Sequence, residues 1–113
     1  METFFKCHSS KNERLLFAFE CNGGGRIVHG FSSIVVAESI GRNFEFYQNV
    51  TVGWGKTGKP IIGDNVQIYA GAVVAGKITI GNNVRIAANS FVRCDVPDNS
   101  LVYGNPAVIR TSN

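Results

Sequence analysis

The chain places apolar residues at a fixed interval of six positions, which neither a helix nor an ordinary strand would produce. Within 62–97, six consecutive units begin with Ile or Val, and their fifth positions are apolar or small. A helix of 3.6 residues per turn would spread this pattern around its circumference, and hairpin strands would alternate over longer runs. A fixed short repeat instead predicts a solenoid.

The same register continues towards the N-terminus and predicts eleven units. The predicted first positions are Val28, Ile34, Ile40, Phe46, Val52, Ile62, Ile68, Val74, Ile80, Ile86 and Val92. Because the unit after Val52 begins late, the segment 53–61 carries a four-residue insertion into the repeat. We expect the first-position side chains to fill the core, each contributing about 1.5–3 kcal/mol if fully buried.

A longer period of three units overlies the six-residue repeat. The segments 40–44, 62–66 and 80–84 share the form I-G-x-N-[VF], at equal intervals once the insertion is removed. Three units therefore make one turn of a triangular coil, and equivalent residues stack at roughly 4.8 Å. The asparagines of this form fall at corners, where the left-handed backbone that Asn tolerates is needed. The predicted fold is an all-β parallel β-helix of about four coils.

Composition narrows the choice of partners and setting. The chain has 113 residues, 44% of them hydrophobic, and a formal net charge of +3. Lys and Arg are spread without a basic run, so we expect no nucleic-acid partner. Three cysteines without a C-x-x-C motif, and the lack of a secretory signal or a long apolar span, predict a reduced, cytoplasmic setting away from membranes.

The two ends of the chain depart from the repeat. Residues 1–25 are predicted to cap one end of the solenoid, since repeat arrays need atypical ends; an oligomerisation arm is the alternative. The apolar stretch within 11–19 fits a short amphipathic helix and a strand equally well. The β-helix domain is predicted over 26–113, with a loop at 53–61 and a C-terminal loop at 98–113.

Four stretches of sequence carry a resemblance to a known family. They are I-V-H-G-F-S-S-I-V-V-A-E at 27–38, Y-Q-N-V-T-V-G at 47–53, G-K-P-I-I-G-D-N-V at 58–66 and D-V-P-D-N-S-L-V-Y-G-N-P-A at 95–107. They resemble the hexapeptide-repeat acyltransferases, and most closely the serine O-acetyltransferase branch. The resemblance implies a left-handed β-helix, a homotrimer, and acetyl transfer from acetyl-CoA to the hydroxyl of serine or another small acceptor such as a sugar.

His29 is the candidate general base. It holds the second position of its unit, so its side chain is expected to point outward, and an unperturbed imidazole titrates near pH 6.5. The resemblance gives it the place of the family's catalytic histidine; a surface or subunit-interface histidine is the alternative. The three-unit period predicts one outward column of His29, Tyr47, Tyr69 and Ala87. His8, outside the repeat, is expected to be inert.

The chain departs from the family pattern around the expected catalytic residues. The family word Asp-Ile-His-Pro, whose Asp orients the histidine, is absent, and Glu20 or Glu38 is the candidate substitute. Lys59 replaces a second family histidine, and Gly53-Trp54 replaces the usual Gly-Gly. These departures make a catalytically silent assembly or regulatory subunit the alternative to an enzyme.

The resemblance also predicts where acetyl-CoA binds. In the family the cofactor lies along small residues between neighbouring coils, and a loop like Asn105-Pro106-Ala107 closes over it. Surface arginines and lysines, among them Arg85, Arg93 and Arg110, are candidates for its phosphates. The predicted cofactor-binding residues are Trp54, Ala70, Arg85, Ala88, Asn105, Pro106 and Ala107. No metal is expected, since a metal-dependent hydrolase of this fold needs three histidines per site and the chain has two.

Overall fold

The chain forms a parallel β-helix of about four coils, as the six-residue repeat predicts. The computed structural model describes residues 2–4, 10–11, 15–18, 25–29 and 32–112. Each coil contributes short strands that stack on those of the neighbouring coils, so the solenoid has three flat faces. Within the described part of the chain, no helix is long and apolar enough to span a membrane.

Each face is one sheet. The first face has the order β1 (Glu2–Phe4), β4 (Gly25–Val28), β7 (Phe44–Phe46), β10 (Gln67–Ile68), β13 (Arg85–Ile86), β15 (Ser100–Tyr103) and β16 (Val108–Thr111). The second face has the order β2 (Ser10–Lys11), β3 (Leu15–Ala18), β5 (Ser33–Val36), β8 (Thr51–Gly53), β11 (Val73–Ala75) and β14 (Phe91–Val92). The third face has β6 (Ser39–Ile40), β9 (Ile61–Ile62) and β12 (Thr79–Ile80).

Three corners join the faces. The first corner leads from the first face to the second, the second corner from the second face to the third, and the third corner back to the first face. The inserted segment is part of the second corner, between the end of β8 at Gly53 and the start of β9 at Ile61. All strand pairs are parallel except β1 with β4, β2 with β3, and β15 with β16.

The core consists of the inward side chains of all three faces. The predicted first positions from Ile40 onward are buried. The prediction is wrong for Ile34, which is 45% exposed, whereas Val35 is fully buried. The register is also wrong by one residue at the preceding strand, where Ile27 rather than Val28 lies opposite Phe46. The cause is a first corner that is longer in this coil than in the others, so the repeat shifts before β5.

The third corner repeats the same hydrogen bonds in successive coils, as the I-G-x-N-[VF] pattern predicts. Asn43, Asn65 and Asn83 adopt left-handed backbone angles, and Asn99 extends the series by one more coil. Each Nδ2 donates to the Oδ1 of the next asparagine, at 3.0, 3.2 and 3.1 Å. We call this series the asparagine ladder. It satisfies side-chain amides that would otherwise stack without partners.

The glycine of the pattern is explained by a close approach at the same corner. A Cβ on Gly63 would collide with Asn82 Oδ1, and it would lie 2.9 Å from the carbonyl carbon of Gly81. Asn82 Oδ1 occupies this space because it accepts a hydrogen bond of 2.8 Å from the amide of Asp64. Gly41 and Gly81 meet the equivalent carboxylate oxygens of Asp64 and Asp98.

The ends of the chain contain more strand than the sequence pattern indicates. The apolar stretch at 15–18 is the strand β3, paired in parallel with β5, so of the two alternatives the strand is correct. The role of residues 1–25 as a cap stays a prediction. The expected C-terminal loop at 98–113 is wrong in part, because β15 and β16 form an antiparallel pair there. Ile109 and Ala107 pack against the core, which explains why this segment folds back.

Candidate active site

His29 lies at the start of the first corner, directly after β4. Its side chain is exposed, and its backbone is left-handed with φ of 51°. Ser32, before β5, is also left-handed with φ of 57°. Each such residue other than glycine costs about 1–2 kcal/mol, so the surrounding structure must stabilise this conformation.

The predicted outward column is correct for the tyrosines and wrong for His29. The rings of Tyr47 and Tyr69 stack, with centroids 4.9 Å apart and an angle of 27° between their planes. Because Ile27 lies opposite Phe46, the residue at the level of Tyr47 is Val28. His29 therefore lies one residue further into the corner than the tyrosines. The same register shift that exposes Ile34 accounts for this displacement.

An ionic cluster around the buried Glu45 lies beside the tyrosines on the first face, and the sequence did not predict it. Glu45 is only 9% exposed, although it occupies an outward position. Its Oε2 is 2.8 Å from Arg26 Nη2, and its Oε1 accepts a hydrogen bond of 3.0 Å from the Tyr47 hydroxyl. The ion pair could have been predicted from the sequence, because Arg26 and Glu45 lie opposite each other in neighbouring strands. That prediction requires the correct register of β4.

This cluster raises the pKa of Tyr47 above its ordinary value. Burial makes the largest contribution, followed by the hydrogen bond to Glu45 and the negative charge of that carboxylate. Tyr69 adds to the increase, and the positive charge of Arg26 opposes it. The Tyr47 hydroxyl is therefore protonated and donates its hydrogen bond to Glu45, and this bond holds the carboxylate in place.

Glu38, the other predicted catalytic residue, lies at the second corner. β5 separates it from His29, and its Oε2 is 3.7 Å from Lys59 Nζ. Lys59 also lies over the ring of Trp54, with Nζ 5.0 Å from the ring centroid. Trp54 is 66% exposed. The three side chains therefore form one cluster around the inserted loop. Glu20, the alternative to Glu38, lies outside the described residues.

Most of the predicted cofactor-binding residues lie along the first corner. Ala70 and Ala88 occupy equivalent positions in successive coils, and the carbonyl of Ala70 accepts a hydrogen bond of 3.0 Å from the amide of Asn89. The loop Asn105-Pro106-Ala107 follows β15 at the C-terminal end of this corner. It lines a groove of 390 Å³ on the second face, together with Phe91, Arg93 and the exposed, free Cys94.

The structure does not bring Arg85 or Trp54 to this groove. Arg85 lies on the first face, where it lines a separate groove with Arg110. Trp54 lies at the second corner. Within the described ranges, no three His, Cys, Asp or Glu side chains are grouped so that they could hold a metal ion.

Comparisons with known proteins agree with the fold. The family described as bacterial transferase hexapeptide (six repeats) matches residues 59–94. The serine acetyltransferase of Staphylococcus xylosus is 50% identical over 91 residues, which cover 74% of this chain and 41% of that protein. The chain thus spans about two fifths of the length of this curated relative.

Solved structures give the same result. The serine acetyltransferase of Neisseria gonorrhoeae aligns with a TM-score of 0.76 at 33% identity, over 86% of this chain and 40% of that one. A second structure of that enzyme is a complex with serine. The Brucella abortus enzyme in complex with coenzyme A aligns with a TM-score of 0.67 at 35% identity, over 77% and 37% of the two chains. The chain belongs to the hexapeptide-repeat acyltransferase superfamily, in its serine O-acetyltransferase branch.

Proposed function

We propose that the protein transfers the acetyl group of acetyl-CoA to the hydroxyl of serine, with His29 as the general base. The observation that carries this proposal is the likeness to solved serine acetyltransferases, which include complexes with coenzyme A and with serine. The exposed imidazole at the first corner supports it, because acyl transfer to a hydroxyl needs a base that a substrate can reach.

The proposed reaction needs one proton acceptor and one leaving group. His29 accepts the hydroxyl proton of serine while the hydroxyl oxygen forms a bond to the carbonyl carbon of the thioester. The carbon–sulfur bond then breaks, and the sulfur takes the proton back from the imidazole. The products are O-acetylserine and the free thiol of CoA, so atoms and charge balance.

The first corner supports binding of acetyl-CoA, which supplies the activated acyl group. Ala70 and Ala88 present only methyl groups, so an extended ligand can approach the backbone closely. The loop at Asn105–Ala107 and the side chain of Arg93 border the groove at the C-terminal end. This arrangement offers a positive charge and backbone polar groups beside an apolar surface, which suits a ligand with a phosphorylated end and an apolar arm.

In this proposal Glu38 positions the inserted loop and does not orient the His29 of its own chain. Its carboxylate pairs with Lys59 at the far end of β5. Lys59 in turn contacts the face of Trp54, so Glu38 acts on the loop through Lys59. The loop then presents Trp54 to the acceptor or to a neighbouring subunit.

A homotrimer is part of the proposal, as the family resemblance implies. Exposed apolar side chains support an assembly, since Trp54 is 66% and Ile34 is 45% exposed. Light scattering after size-exclusion chromatography checks it. We expect three copies of the 12.2 kDa chain, and a monomer at micromolar concentration would contradict this part of the proposal.

Release of the CoA thiol, followed with a chromogenic thiol reagent, tests the function. Serine, a set of sugars and chloramphenicol are supplied separately as acceptors. We expect serine to support release, and His29→Asn to reduce the rate by about 10²–10⁴-fold, the usual contribution of a general base. Asn is chosen because it tolerates the left-handed backbone of His29.

Arg42→Gln is the matched control, because Arg42 is exposed at the third corner, away from the proposed site. We expect its rate to equal that of the unchanged protein. No release with serine, or an undiminished rate in His29→Asn, would overturn the proposal. Release with a sugar alone would replace serine as the acceptor.

A further inference from the structure

One row of outward-facing residues crosses the first face, with one residue from each of its six strands from β4 to β16. From the N-terminal to the C-terminal end the row is Arg26, Glu45, Gln67, Arg85, Leu101 and Arg110. Neighbouring strands are about 4.8 Å apart, so the Cα atoms of Arg85 and Arg110 are about 10 Å apart, with Leu101 between them. Two arginine side chains can reach a common ligand across this distance.

The two ends of the row differ in charge compensation. Arg26 at one end is paired with Glu45 at 2.8 Å. Asp98 lies near the other end, but its carboxylate is engaged with the backbone, because its Oδ1 accepts a hydrogen bond of 2.7 Å from the amide of Asn82. Among the residues that the structure describes, neither Arg85 nor Arg110 forms an ion pair. Two positive charges therefore flank Leu101, with no carboxylate partner in the described part of the chain.

Arg85 and Arg110 line a groove of 680 Å³, which we call the arginine groove. Its other walls include Asn83, Thr111 and Ser112, which are polar and uncharged. None of its described lining residues is an aspartate or glutamate. An anion in this groove would meet hydrogen-bond donors and two positive charges, with no carboxylate to repel it.

The asparagine ladder ends at the arginine groove. Each Nδ2 in the ladder donates towards the next coil. Asn99 is the last member, and its Oδ1 accepts a hydrogen bond of 3.1 Å from Asn83 Nδ2. No described residue accepts a hydrogen bond from the Nδ2 of Asn99. Hydrogen bonds in such a chain polarise one another in the same direction, so the ladder presents its positive end here.

We propose that the arginine groove binds a phosphate monoester through Arg85, Arg110 and the side-chain amide of Asn99. A phosphate monoester carries nearly two negative charges and three acceptor oxygens, which match two guanidinium groups and one amide donor. A carboxylate has one charge and two oxygens, and would leave one arginine uncompensated. The ligand is either the 3′-phosphate of coenzyme A or a separate phosphorylated small molecule.

Isothermal titration calorimetry at constant ionic strength tests the groove without any turnover. The probes are inorganic phosphate, adenosine 3′,5′-bisphosphate, coenzyme A and 3′-dephospho-coenzyme A. We expect Arg85→Gln and Arg110→Gln each to weaken binding of the bisphosphate by about 10-fold, the value of one charge-assisted hydrogen bond. Arg42→Gln, which removes an equal charge at the same corner, is expected to change it by less than about twofold.

The coenzyme pair identifies the source of the phosphate. If coenzyme A binds about 10-fold more tightly than its dephospho form, and Arg85→Gln removes the difference, the ligand is the 3′-phosphate of the coenzyme. If the two coenzymes bind equally while phosphate and the bisphosphate still depend on Arg85 and Arg110, the ligand is a separate phosphorylated molecule.

Three results would overturn the inference. These are binding of the bisphosphate that is unchanged in both arginine variants, an equal loss in Arg42→Gln, or no binding of any phosphate probe at about 10 mM. His29→Asn is expected to bind the bisphosphate as the unchanged protein does. If that variant loses turnover but still binds the bisphosphate, the role of His29 in catalysis and the role of the arginine groove in phosphate binding are independent.

Discussion

The third corner is built in the same way in successive coils, whereas the first corner changes from coil to coil. At the third corner, four asparagines with nearly equal φ values, between 56° and 58°, form one continuous ladder. At the first corner the left-handed positions are held by His29 and Ser32 in one coil and by Asn49, Gly71 and Asn89 in the next three. Repetition lets each coil supply the partners of the next, which favours stability. The irregular corner carries different side chains in each coil, and the exposed His29 is one of them.

Asn65→Ala is expected to give the largest loss of stability in this comparison. It places alanine at φ of 56°, which costs about 1–2 kcal/mol, and removes two ladder hydrogen bonds, each contributing about 0.5–1.5 kcal/mol. The free energy of unfolding in urea should fall by about 2–5 kcal/mol in total. Asn65→Gly should recover the backbone part of this loss.

Asn49→Ala is the matched variant at the first corner. Asn49 has the same φ of 56°, but within the described residues its side chain forms no ladder. We expect only the backbone cost of about 1–2 kcal/mol. Equal losses for Asn49→Ala and Asn65→Ala would show that the ladder does not distinguish the two corners.

Gly63→Ala tests the close approach at the third corner. Its Cβ would collide with Asn82 Oδ1 and with backbone atoms of Gly81, so we expect a loss of about 1–3 kcal/mol in unfolding free energy. Gly53→Ala is the control, since no atom lies within 4 Å of a Cβ built there. A loss of similar size in both variants would mean that the effect is not steric.

The regular part of the molecule could be predicted from sequence, and the irregular part could not. From Ile40 onward the six-residue interval is unbroken except at the insertion, and the I-G-x-N-[VF] pattern recurs, so the register is unambiguous even at doublets such as Ile61-Ile62 and Val73-Val74. The doublets Ile27-Val28 and Ile34-Val35 satisfy either register, and the choice depends on the length of a corner that has no repeat. Because of this ambiguity, the sequence pattern wrongly predicts that His29 lies in the same outward column as Tyr47 and Tyr69.

The sequence indicates Arg85 and Arg110 only as separate candidates for the phosphates of acetyl-CoA, and their alignment in one row on the first face was missed for a related reason. Arg110 lies on β16, an antiparallel strand outside the six-residue repeat, so periodicity says nothing about its neighbours. Its position beside Leu101, and two strands from Arg85, follows only from the fold. In the same way, Glu38 meets Lys59 and Glu45 meets Arg26 only because neighbouring coils bring together residues that are far apart in the sequence.

Tyr47→Phe is expected to have a smaller effect that depends on pH. Burial and Glu45 raise the pKa of Tyr47 above its ordinary value of 10.0, so folding favours the protonated hydroxyl. This stabilisation is present below pH 10 and is lost as the pH rises through the raised pKa. Urea unfolding of the unchanged protein should therefore lose stability above pH 10 more steeply than Tyr47→Phe. The exposed Tyr103→Phe is the control, and identical pH profiles for all three proteins would contradict the assignment.

Glu38→Gln is expected to give the smallest effect. An exposed ion pair contributes about 0–1 kcal/mol, so the unfolding free energy should hardly change. Because Glu38 contacts Lys59, we expect the pH dependence of turnover to be unchanged and the rate to fall by less than about threefold. A shift of the pH profile, together with a rate loss as large as that of His29→Asn, would show that Glu38 orients the imidazole.

The division of roles between the two corners is tested most directly by measuring thiol release, at equal concentrations of folded protein, in His29→Asn and Asn65→Ala. We predict that His29→Asn retains the unfolding midpoint and loses about 10²–10⁴-fold in rate. We predict that Asn65→Ala has a lower midpoint and, while folded, a rate within about twofold of the unchanged protein. A His29→Asn rate close to that of the unchanged protein, or an equal rate loss in both variants, would contradict the assignment of chemistry to the first corner and stability to the third.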